Sequence, residues 1–222
     1  KTLSIMDTEG RIINQTDYES VDDKTALKAY KDMLFARITD QMAVSYQRQG
    51  RMFTYPPNYG QEAISIATGM VMREDDWLVP AFREMAAYFA KGATPKDIFL
   101  YFMGYEEGNT FPAAKNMLPI SVPISSQLPH AVGIGFSINY NKTGNVVFTF
   151  VGDGGTSEGD FHEALNFAGV WKVPVIFIIQ NNQFAISVPV AKQTASVNLA
   201  VKAIAHGVSA LKVDGNDLFA MY

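Results

Sequence analysis

The sequence predicts an α/β fold with a mostly parallel sheet and helices on both of its faces. Two observations lead to this prediction. Residues 146–151 and 173–179 are continuous apolar runs, typical of strands that are buried on both faces. Residues 157–171, which lie between them, indicate a helix, and strand, helix and strand in this order form a βαβ unit with parallel strands. Composition agrees, because 48% hydrophobic and 18% charged residues suit a packed core.

The elements before this unit follow from apolar periodicity and capping residues. Residues 23–48 predict a helix, because apolar residues recur there at steps of three and four and form one stripe: Ala26, Leu27, Tyr30, Leu34, Ile38 and Met42. Three further helices and one strand are expected, with Thr94 as a cap and Pro95 in the first turn of the middle helix. They are helix 60–72, strand 77–79, a helix from Thr94-Pro95, and helix 127–140 after an irregular loop at 104–123.

The two ends of the chain complete the expected organisation. A helix at 191–205 and a strand at 210–213 should follow the βαβ unit. Residues 1–22 are polar and mixed, and we expect an arm that lies over a neighbour. The chain then divides into residues 1–50, an N-terminal arm and helix packing on the core, and residues 51–222, a binding domain.

Charge and residue content exclude several classes of protein. The net charge of −4 is spread along the chain, which does not suit a nucleic-acid partner. There is no cysteine, and no apolar run is long enough for membrane insertion. The start of the chain lacks a signal-peptide pattern. We therefore expect a cytoplasmic protein.

Polar residues follow both apolar strands at their carboxyl ends. The first strand leads into Gly152-Asp153-Gly154-Gly155, and the second leads into Gln180-Asn181-Asn182. Ligands collect beyond the carboxyl ends of parallel strands, and neighbouring strands lie ~4.8 Å apart, so Asp153 and Asn182 should face one small volume. Carboxylate and amide oxygens suit Mg²⁺, which usually keeps phosphates as further ligands. With glycine N–H groups and a helix start nearby, the pattern predicts a magnesium–diphosphate site.

Each half of this pattern also has an ordinary explanation. Gly-Asp-Gly alone is usually a turn, and Asn-Asn alone usually ends a strand. The pair is more specific, because both halves follow buried strands that flank one helix. The sequence contains neither G-x-G-x-x-G nor a P-loop, so it supports neither hydride transfer with a dinucleotide nor NTP hydrolysis.

These motifs resemble those of the alpha subunits of the decarboxylating component in 2-oxo acid dehydrogenase complexes, over nearly the whole chain. The Gram-positive and mycoplasma type that acts on pyruvate is the most similar. The matching segments are Asn58-Tyr59-Gly60-Gln61-Glu62-Ala63, Phe82-Arg83-Glu84, Ser125-Ser126-Gln127-Leu128-Pro129, Gly152 to Asp160, Asn181 to Ser187 and Val213-Asp214-Gly215-Asn216-Asp217. The resemblance implies a thiamine-diphosphate-binding fold for residues 51–222, and we expect the C-terminal part of that domain to lie beyond Tyr222.

The resemblance also implies ligands for a cofactor and its metal. Asp153 and the Asn182 side chain would bind Mg²⁺, and the backbone carbonyl of Phe184 would complete the protein ligands. The backbones of Gly154 and Gly155 would contact the diphosphate of thiamine diphosphate.

Four further residues would contact the same cofactor. Arg83 would pair with the diphosphate, although a surface salt bridge to an acidic neighbour is the ordinary explanation for such an arginine. Phe82 stands where the family often has Tyr, so one hydrogen bond to the diphosphate is missing. Val122 and Ile124 would contact the aminopyrimidine, and the ordinary role of Ile124 is in the core.

Two expectations concern residues outside this set. Relatives have catalytic histidines where this chain has other residues, and His130, His162 and His206 suit structural roles, so we assign no catalytic residue. Potassium is the second expectation. Its ligands in branched-chain relatives match a loop that could equally be a plain helix cap: Ser121, Pro123, Ser126 and Gln127.

The resemblance implies an enzyme that is active only with a beta subunit, in a heterotetramer of two alpha and two beta chains. Pyruvate would be converted to carbon dioxide and an acetyl group, which passes to lipoyl on the acyltransferase component. Three alternatives stay open: a branched-chain 2-oxo acid dehydrogenase alpha subunit, a non-catalytic scaffold derived from the family, and an unrelated phosphate-binding α/β module.

Overall fold

A computed structural model of the chain describes residues 2–18 and 21–222, so part of the predicted N-terminal arm lies outside the described residues. The helices are α1 Gln15–Tyr18, α2 Asp23–Arg48, α3 Glu62–Val71, α4 Met85–Ala90, α5 Pro95–Phe102, α6 Gln127–Asn141, α7 Gly159–Trp171, α8 Val190–Gln193, α9 Ala200–Ile204 and α10 Leu218–Met221. The strands are β1 Trp77–Val79, β2 Val147–Gly152, β3 Val175–Gln180, β4 Phe184–Ala185 and β5 Val188–Pro189, and 3₁₀ turns occur at Glu106–Asn109 and Gly154–Ser157. Within the described ranges, no helix is long and apolar enough to cross a membrane.

The chain forms two compact units. The first unit comprises Lys1–Glu74, Phe82–Lys115 and Val213–Tyr222, and the second comprises Asp75–Ala81 and Asn116–Lys212. The division at residue 50 that we expected from the sequence stays a prediction.

The second unit contains the parallel sheet, with strand order β1-β2-β3. β2 and β3 pair in register from Val147↔Val175 to Gly152↔Gln180, with α7 between them in the chain, so the predicted parallel βαβ unit is confirmed. Every residue of β2 before Gly152 is buried, as predicted for a strand covered on both faces. The same prediction is wrong for β3, where only Gln180 is buried and Ile176 is 46% exposed, because β3 has a strand on one side only within the described sheet. The α/β class with a parallel sheet is therefore confirmed.

Helix α6 lies close to this sheet because Gly135 has no side chain. A Cβ placed on Gly135 would lie 2.7 Å from Val175 Cγ2 and 3.0 Å from Val173 Cβ. Apolar side chains of α6, β2 and α7 form the adjoining core, which includes Leu128, Val132, Val151, Phe161, Ala164, Leu165 and Ala168. Gly133 on the same helix has no such contact and faces open space.

The first unit is built around α2, α3 and α4. Its helices approach closely through small residues, and the shared core includes Ala29, Ala36, Ala63, Ile66, Ala67, Ala86 and Leu218. The predicted cap of α5 is present, since Thr94 Oγ1 accepts the Asp97 N–H and Asp97 Oδ2 accepts the Thr94 N–H. The described part of the N-terminal segment joins this unit, because the Ile5 and Met6 N–H groups donate to the Asp217 carboxylate.

Helix α2 has the predicted bounds but turns its large apolar residues outward. A helix of a globular protein usually directs its apolar stripe to the core. Here the buried face carries small and polar residues, namely Ala29, Ala36, Thr39, Asp40 and Ala43. The large residues of the stripe remain between 45% and 60% exposed: Leu27, Tyr30, Leu34, Ile38 and Met42. This exposed stripe is a surface that the described chain does not cover.

Two elements near the end of the chain differ from the prediction. Residues 191–205 form two short helices. Thr194 is extended and its Oγ1 accepts the Ser196 N–H, and Asn198 Oδ1 accepts the Ala200 N–H just before α9, so side chains bond to the backbone where a continuous helix was expected. The strand expected at 210–213 is reduced to one bridge between Val213 and Leu3. Helix α4 was not predicted.

Candidate functional site

The carboxyl ends of β2 and β3 lie side by side, as the sequence predicts. Gly152 pairs with Gln180 across the two strands, and the Asp153 N–H donates to the Gln180 carbonyl at 3.2 Å. A backbone N–H of Asn182 also donates to the Asp153 carboxylate. Asp153 and Asn182 are therefore neighbours, although their predicted roles as metal ligands stay predictions.

Asp153 is a buried carboxylate whose charge has no positive partner. Its side chain is 1% exposed, and among the described residues no lysine or arginine forms an ion pair with it. Burial raises the pKa of Asp153 above its usual value, while hydrogen bonds from Asn182, Gln193 and its own backbone act in the opposite direction. An ionised carboxylate in such a place is stabilised by a bound cation.

The turn after Asp153 has room for backbone only. A Cβ on Gly154 would lie 2.5 Å from Ala185 Cβ, and a Cβ on Gly155 would lie 2.5 Å from Val151 Cγ2 and 2.7 Å from Ser125 Oγ. Both glycines belong to the 3₁₀ turn Gly154–Ser157, and helix α7 begins two residues later, at Gly159, rather than at the predicted residue 157. Because these two glycines have no side chains and lie just before a helix N-terminus, their backbone N–H groups suit the close approach of an anion.

The segment after Asn182 returns towards the 3₁₀ turn Gly154–Ser157, here called the glycine turn. Asn182 Oδ1 accepts the Phe184 N–H at 3.1 Å, which leaves one lone pair of this oxygen for another partner. Phe184 and Ala185 form β4, which pairs with β5, and Ala185 closes on Gly154. The structure therefore brings Asp153, Gly154 and the chain around Asn182 and Phe184 together.

The remaining predicted contacts fall in two places. Ile124 lies beside the turn, since its Cγ2 would be 3.2 Å from a Cβ on Gly155, and its side chain is about half exposed rather than in the core. Val122 is also about half exposed. Phe82 and Arg83 belong to the first unit, where Arg83 Nε donates to the Pro57 carbonyl at 2.8 Å.

One participant was not found from the sequence. Gln193 Nε2 donates to Asp153 Oδ2 at 2.9 Å, and Gln193 Oε1 accepts from Ser157 Oγ at 3.1 Å. Gln193 lies eleven residues beyond Asn182, inside the stretch that the sequence predicts as one long helix. No local motif distinguishes this glutamine from a surface residue.

The loop before α6 holds the oxygens that were predicted for potassium. Ser121 Oγ and Ser126 Oγ lie 2.9 Å apart, and Ser126 Oγ donates to the Pro123 carbonyl at 2.9 Å. Gln127 Nε2 donates to the Phe150 carbonyl, while Gln127 Oε1 is buried without a partner. Within the described chain, no group of three or more His, Asp or Glu residues forms a metal cluster.

Among the described residues, no histidine is hydrogen-bonded to the Asp153 carboxylate. His162 Nδ1 and His206 Nε2 are 3.4 Å apart, and Lys202 Nζ donates to the Thr156 carbonyl and hydroxyl at 2.7 and 2.9 Å. Burial lowers the pKa of His162, and the nearby Lys202 and His206 add to this effect. The lowered pKa favours the neutral form of the His162 ring.

Comparisons with known proteins define the class first. Residues 30–222 match the model of the family described as Dehydrogenase E1 component, and the chain belongs to this family.

Particular relatives follow from direct comparison. The chain is 40% identical over 218 residues to the pyruvate dehydrogenase E1 component subunit alpha of Mycoplasma genitalium, covering 98% of this chain and 61% of the relative. The corresponding subunits of Acholeplasma laidlawii and Staphylococcus aureus are 42% and 38% identical, with 97% and 99% of this chain and 63% and 60% of each relative covered. The chain thus spans about three fifths of the length of these relatives.

A solved structure is also similar. It is the X-ray structure of a putative thiamin diphosphate-dependent enzyme from Mycobacterium smegmatis, at 18% identity and a TM-score of 0.44, with 65% of this chain and 25% of that chain covered.

Proposed function

We propose that this chain is the alpha subunit of the thiamine-diphosphate-dependent decarboxylating component of a pyruvate dehydrogenase complex. The assembled component would convert pyruvate to carbon dioxide and an acetyl group that passes to lipoyl on the acyltransferase component. The support is the identity of 38–42% to three subunits that carry the pyruvate dehydrogenase name. A cytoplasmic location is proposed with this role.

The observation that carries the cofactor proposal is the buried Asp153 carboxylate beside a turn with room for backbone alone. A carboxylate without a positive partner among the described residues, an amide oxygen at Asn182 and two glycines with room for backbone alone fit a divalent cation that bridges to a diphosphate. Asp153, Asn182 and the Phe184 carbonyl would hold Mg²⁺, while Gly154 and Gly155 would meet the diphosphate. Ile124 and Val122 would pack against the aminopyrimidine, and Phe82 and Arg83 would complete the diphosphate contacts.

When bound, thiamine diphosphate supplies the nucleophile and the electron sink for decarboxylation of a 2-oxo acid. This chain's own residues bind and orient that group. The Asp153 carboxylate offsets the charge of the cation, and the close packing of Gly154 against Ala185 leaves no side chain between the backbone and an anion. The acid–base group for the pyrimidine would come from the beta subunit.

Calorimetry on the chain assembled with a beta subunit tests the site. Asp153→Ala should weaken Mg²⁺-dependent binding of thiamine diphosphate by well over tenfold, which is more than about 1.4 kcal/mol. Asp160→Ala, which removes one acidic residue from the first turn of α7, is the control and should bind as the wild type does. Unchanged affinity in the Asp153 variant would exclude the site. Assays on pyruvate and on branched 2-oxo acids separate the two substrates.

The exposed stripe of α2 supports the proposed heterotetramer with beta subunits. Leu34 and Ile38 lie at its middle, and contiguous apolar surface of this kind marks protein interfaces. In light scattering of the chain without a beta subunit, the double variant Leu34→Asp and Ile38→Asp should be a monomer. The variant Gln41→Glu on the same helix should remain associated as the wild type does. A wild-type chain that remains a monodisperse monomer of 24.5 kDa without a beta subunit would contradict the proposal.

Two observations on the loop before α6 support a potassium site. Gln127 Oε1 is buried without a partner, and the oxygens of Ser121, Pro123 and Ser126 lie close to one another. Such oxygens suit an alkali cation. We expect a higher Tm in potassium than in tetramethylammonium at equal ionic strength. Equal Tm values in the two salts would mean that this loop serves only as a helix cap.

A further inference from the structure

The Gln193 amide joins the two ends of the glycine turn. Its Nε2 donates to Asp153 Oδ2 at 2.9 Å, just before the turn, and its Oε1 accepts from Ser157 Oγ at 3.1 Å, at the end of the turn. All three residues belong to the second unit. Gln193 therefore connects α8 to the residue on which the proposed cation site depends.

The hydrogen-bond chemistry fixes which way this amide points. An ionised carboxylate only accepts, so the NH₂ group of Gln193 must face Asp153. The opposite orientation would place Oε1 against the carboxylate and leave the Ser157 hydroxyl facing an NH₂ group. The Asp153 carboxylate thus sets the direction of the Gln193 amide, and the Ser157 hydroxyl donates to the Oε1 that then faces it.

The segment that carries Gln193 also carries the other proposed ligands. It starts with Asn182 and Phe184, turns through β4 and β5, and is closed by the Val190 N–H, which donates to the Gln183 carbonyl at 2.9 Å. Ala185 contacts the glycine turn from the same segment. The Gln193 hydrogen bond is therefore a second attachment of the ligand-bearing segment to the Asp153 turn.

We infer that Gln193 is a positioning residue, which holds the Asp153 carboxylate and the ligand segment in the arrangement that binds a divalent cation. This inference rests on the proposed function. Gln193 engages one lone pair of Oδ2, and an ionised carboxylate has further lone pairs with which to bind a cation. Ligating carboxylates commonly have such a donor behind them, and loss of that donor weakens metal binding about tenfold to hundredfold.

Cation titration of the protein assembled with its beta subunit tests the role. Mn²⁺ binding is followed by electron paramagnetic resonance in the presence of saturating thiamine diphosphate, together with Tm in the absence of cation. Gln193→Ala should weaken Mn²⁺ binding about tenfold to hundredfold. Lys192→Ala, an exposed neighbour on α8, is the matched control and should bind as the wild type does.

A double-mutant cycle with Ser157→Ala separates positioning from general stability. Ser157→Ala alone should weaken Mn²⁺ binding by a smaller factor, and it should add nothing in the Gln193→Ala background, because Ser157 acts through Gln193. If the two substitutions weaken Mn²⁺ binding additively, Ser157 does not act through Gln193. If Gln193→Ala does not assemble, wild-type affinity in Ser157→Ala would count against the proposal.

Three further outcomes are decisive. A lowered Tm with unchanged Mn²⁺ affinity in Gln193→Ala would make the residue merely structural and overturn the inference. Tighter Mn²⁺ binding would show that Gln193 competes with the cation, and it would overturn the inference too. If the wild type shows no cation-dependent binding of thiamine diphosphate, the proposed function itself fails.

Discussion

In the first unit, the buried Glu62 carboxylate pairs with a cation, and those of Asp40 and Asp217 accept from neutral donors. In the second unit, Asp153 accepts from neutral donors and pairs with no cation among the described residues. Asp217 accepts four backbone N–H groups, from Ile5, Met6, Phe219 and Ala220. Glu62 accepts hydrogen bonds from Arg37 Nε at one carboxylate oxygen and from Arg37 Nη2 at the other. Glu62 is therefore balanced by a positive charge in its own unit, whereas no described lysine or arginine balances Asp153.

The pKa directions express the same difference. Burial acts to raise the pKa of Glu62, but the hydrogen bonds and charge of Arg37 outweigh it, so the pKa lies below its usual value. Burial of Asp153 raises its pKa, and the neutral donors around it do not reverse the shift. A buried carboxylate that its own fold leaves without a countercharge is a candidate for function, whereas a paired one stabilises the fold.

The largest effect is expected where a paired carboxylate is removed. Asp40 Oδ1 accepts from the Tyr55 hydroxyl at 2.7 Å and from the Asn58 N–H at 2.6 Å. Asp40→Ala would leave both buried donors without this partner, at ~1–3 kcal/mol each, so we expect a loss of about 4 kcal/mol and a fall in Tm of roughly 10 °C. Asp40→Asn keeps an oxygen at this position and should lose much less. Equal melting temperatures for the two variants would contradict the importance of this acceptor.

The positions of Asp153 and Asn182 could be predicted from the sequence. Continuous apolar strands bounded by polar residues place Asp153 and Asn182 at neighbouring strand ends, and the parallel register confirms that placement. Local patterns suffice there, because one helix joins two adjacent strands. The cap of α5 is local in the same sense, since Thr94 and Asp97 are three residues apart.

Contacts between residues far apart in the chain could not be predicted from local sequence patterns. The stripe on α2 predicts a helix but not which side is buried, because close packing with α3 and α4 favours the alanine face. Gln193 is separated from Asp153 by forty residues, and the break at Thr194 that ends α8 depends on side chains of Thr194 and Asn198 bonding to the backbone. A periodicity of apolar residues contains none of this information.

A smaller loss is expected when Glu62 becomes neutral. Glu62→Gln removes the charge that Arg37 pairs with, and we expect a loss of about 2 kcal/mol, since the pair is partly buried. The folded-state pKa of Glu62 is lowered, so its contribution is present above the usual value of 4.5 and is lost as the pH falls through the folded-state value. Denaturant titrations should therefore show a weaker acid dependence for the variant over that range.

An exposed pair on α2 provides the control for this second prediction. Lys28 and Asp32 form an i,i+4 ion pair in solvent, and Asp32→Asn should cost no more than about 0.5 kcal/mol. If Glu62→Gln costs as little as Asp32→Asn, the Arg37–Glu62 pair does not differ from a surface pair.

The smallest change in stability, and the opposite sign, is expected at Asp153. Its folded-state pKa is raised above the usual 3.8, so the folded state disfavours the ionised form, and that cost is fully present once the pH exceeds the folded-state value. Asp153→Asn removes the charge but keeps an oxygen for Gln193 and for the Asn182 N–H. At neutral pH and without divalent cation, its Tm should therefore equal or slightly exceed that of the wild type. The rise in Tm that Mg²⁺ and thiamine diphosphate give the wild type should be lost, because the variant no longer balances the cation's charge. Asp160→Asn at the start of α7 is the matched control: it should lower Tm slightly through the helix dipole and keep the ligand-induced rise. A clear fall in the Tm of Asp153→Asn without cation would mean that Asp153 stabilises the fold as Glu62 does, and the contrast between the two carboxylates would disappear.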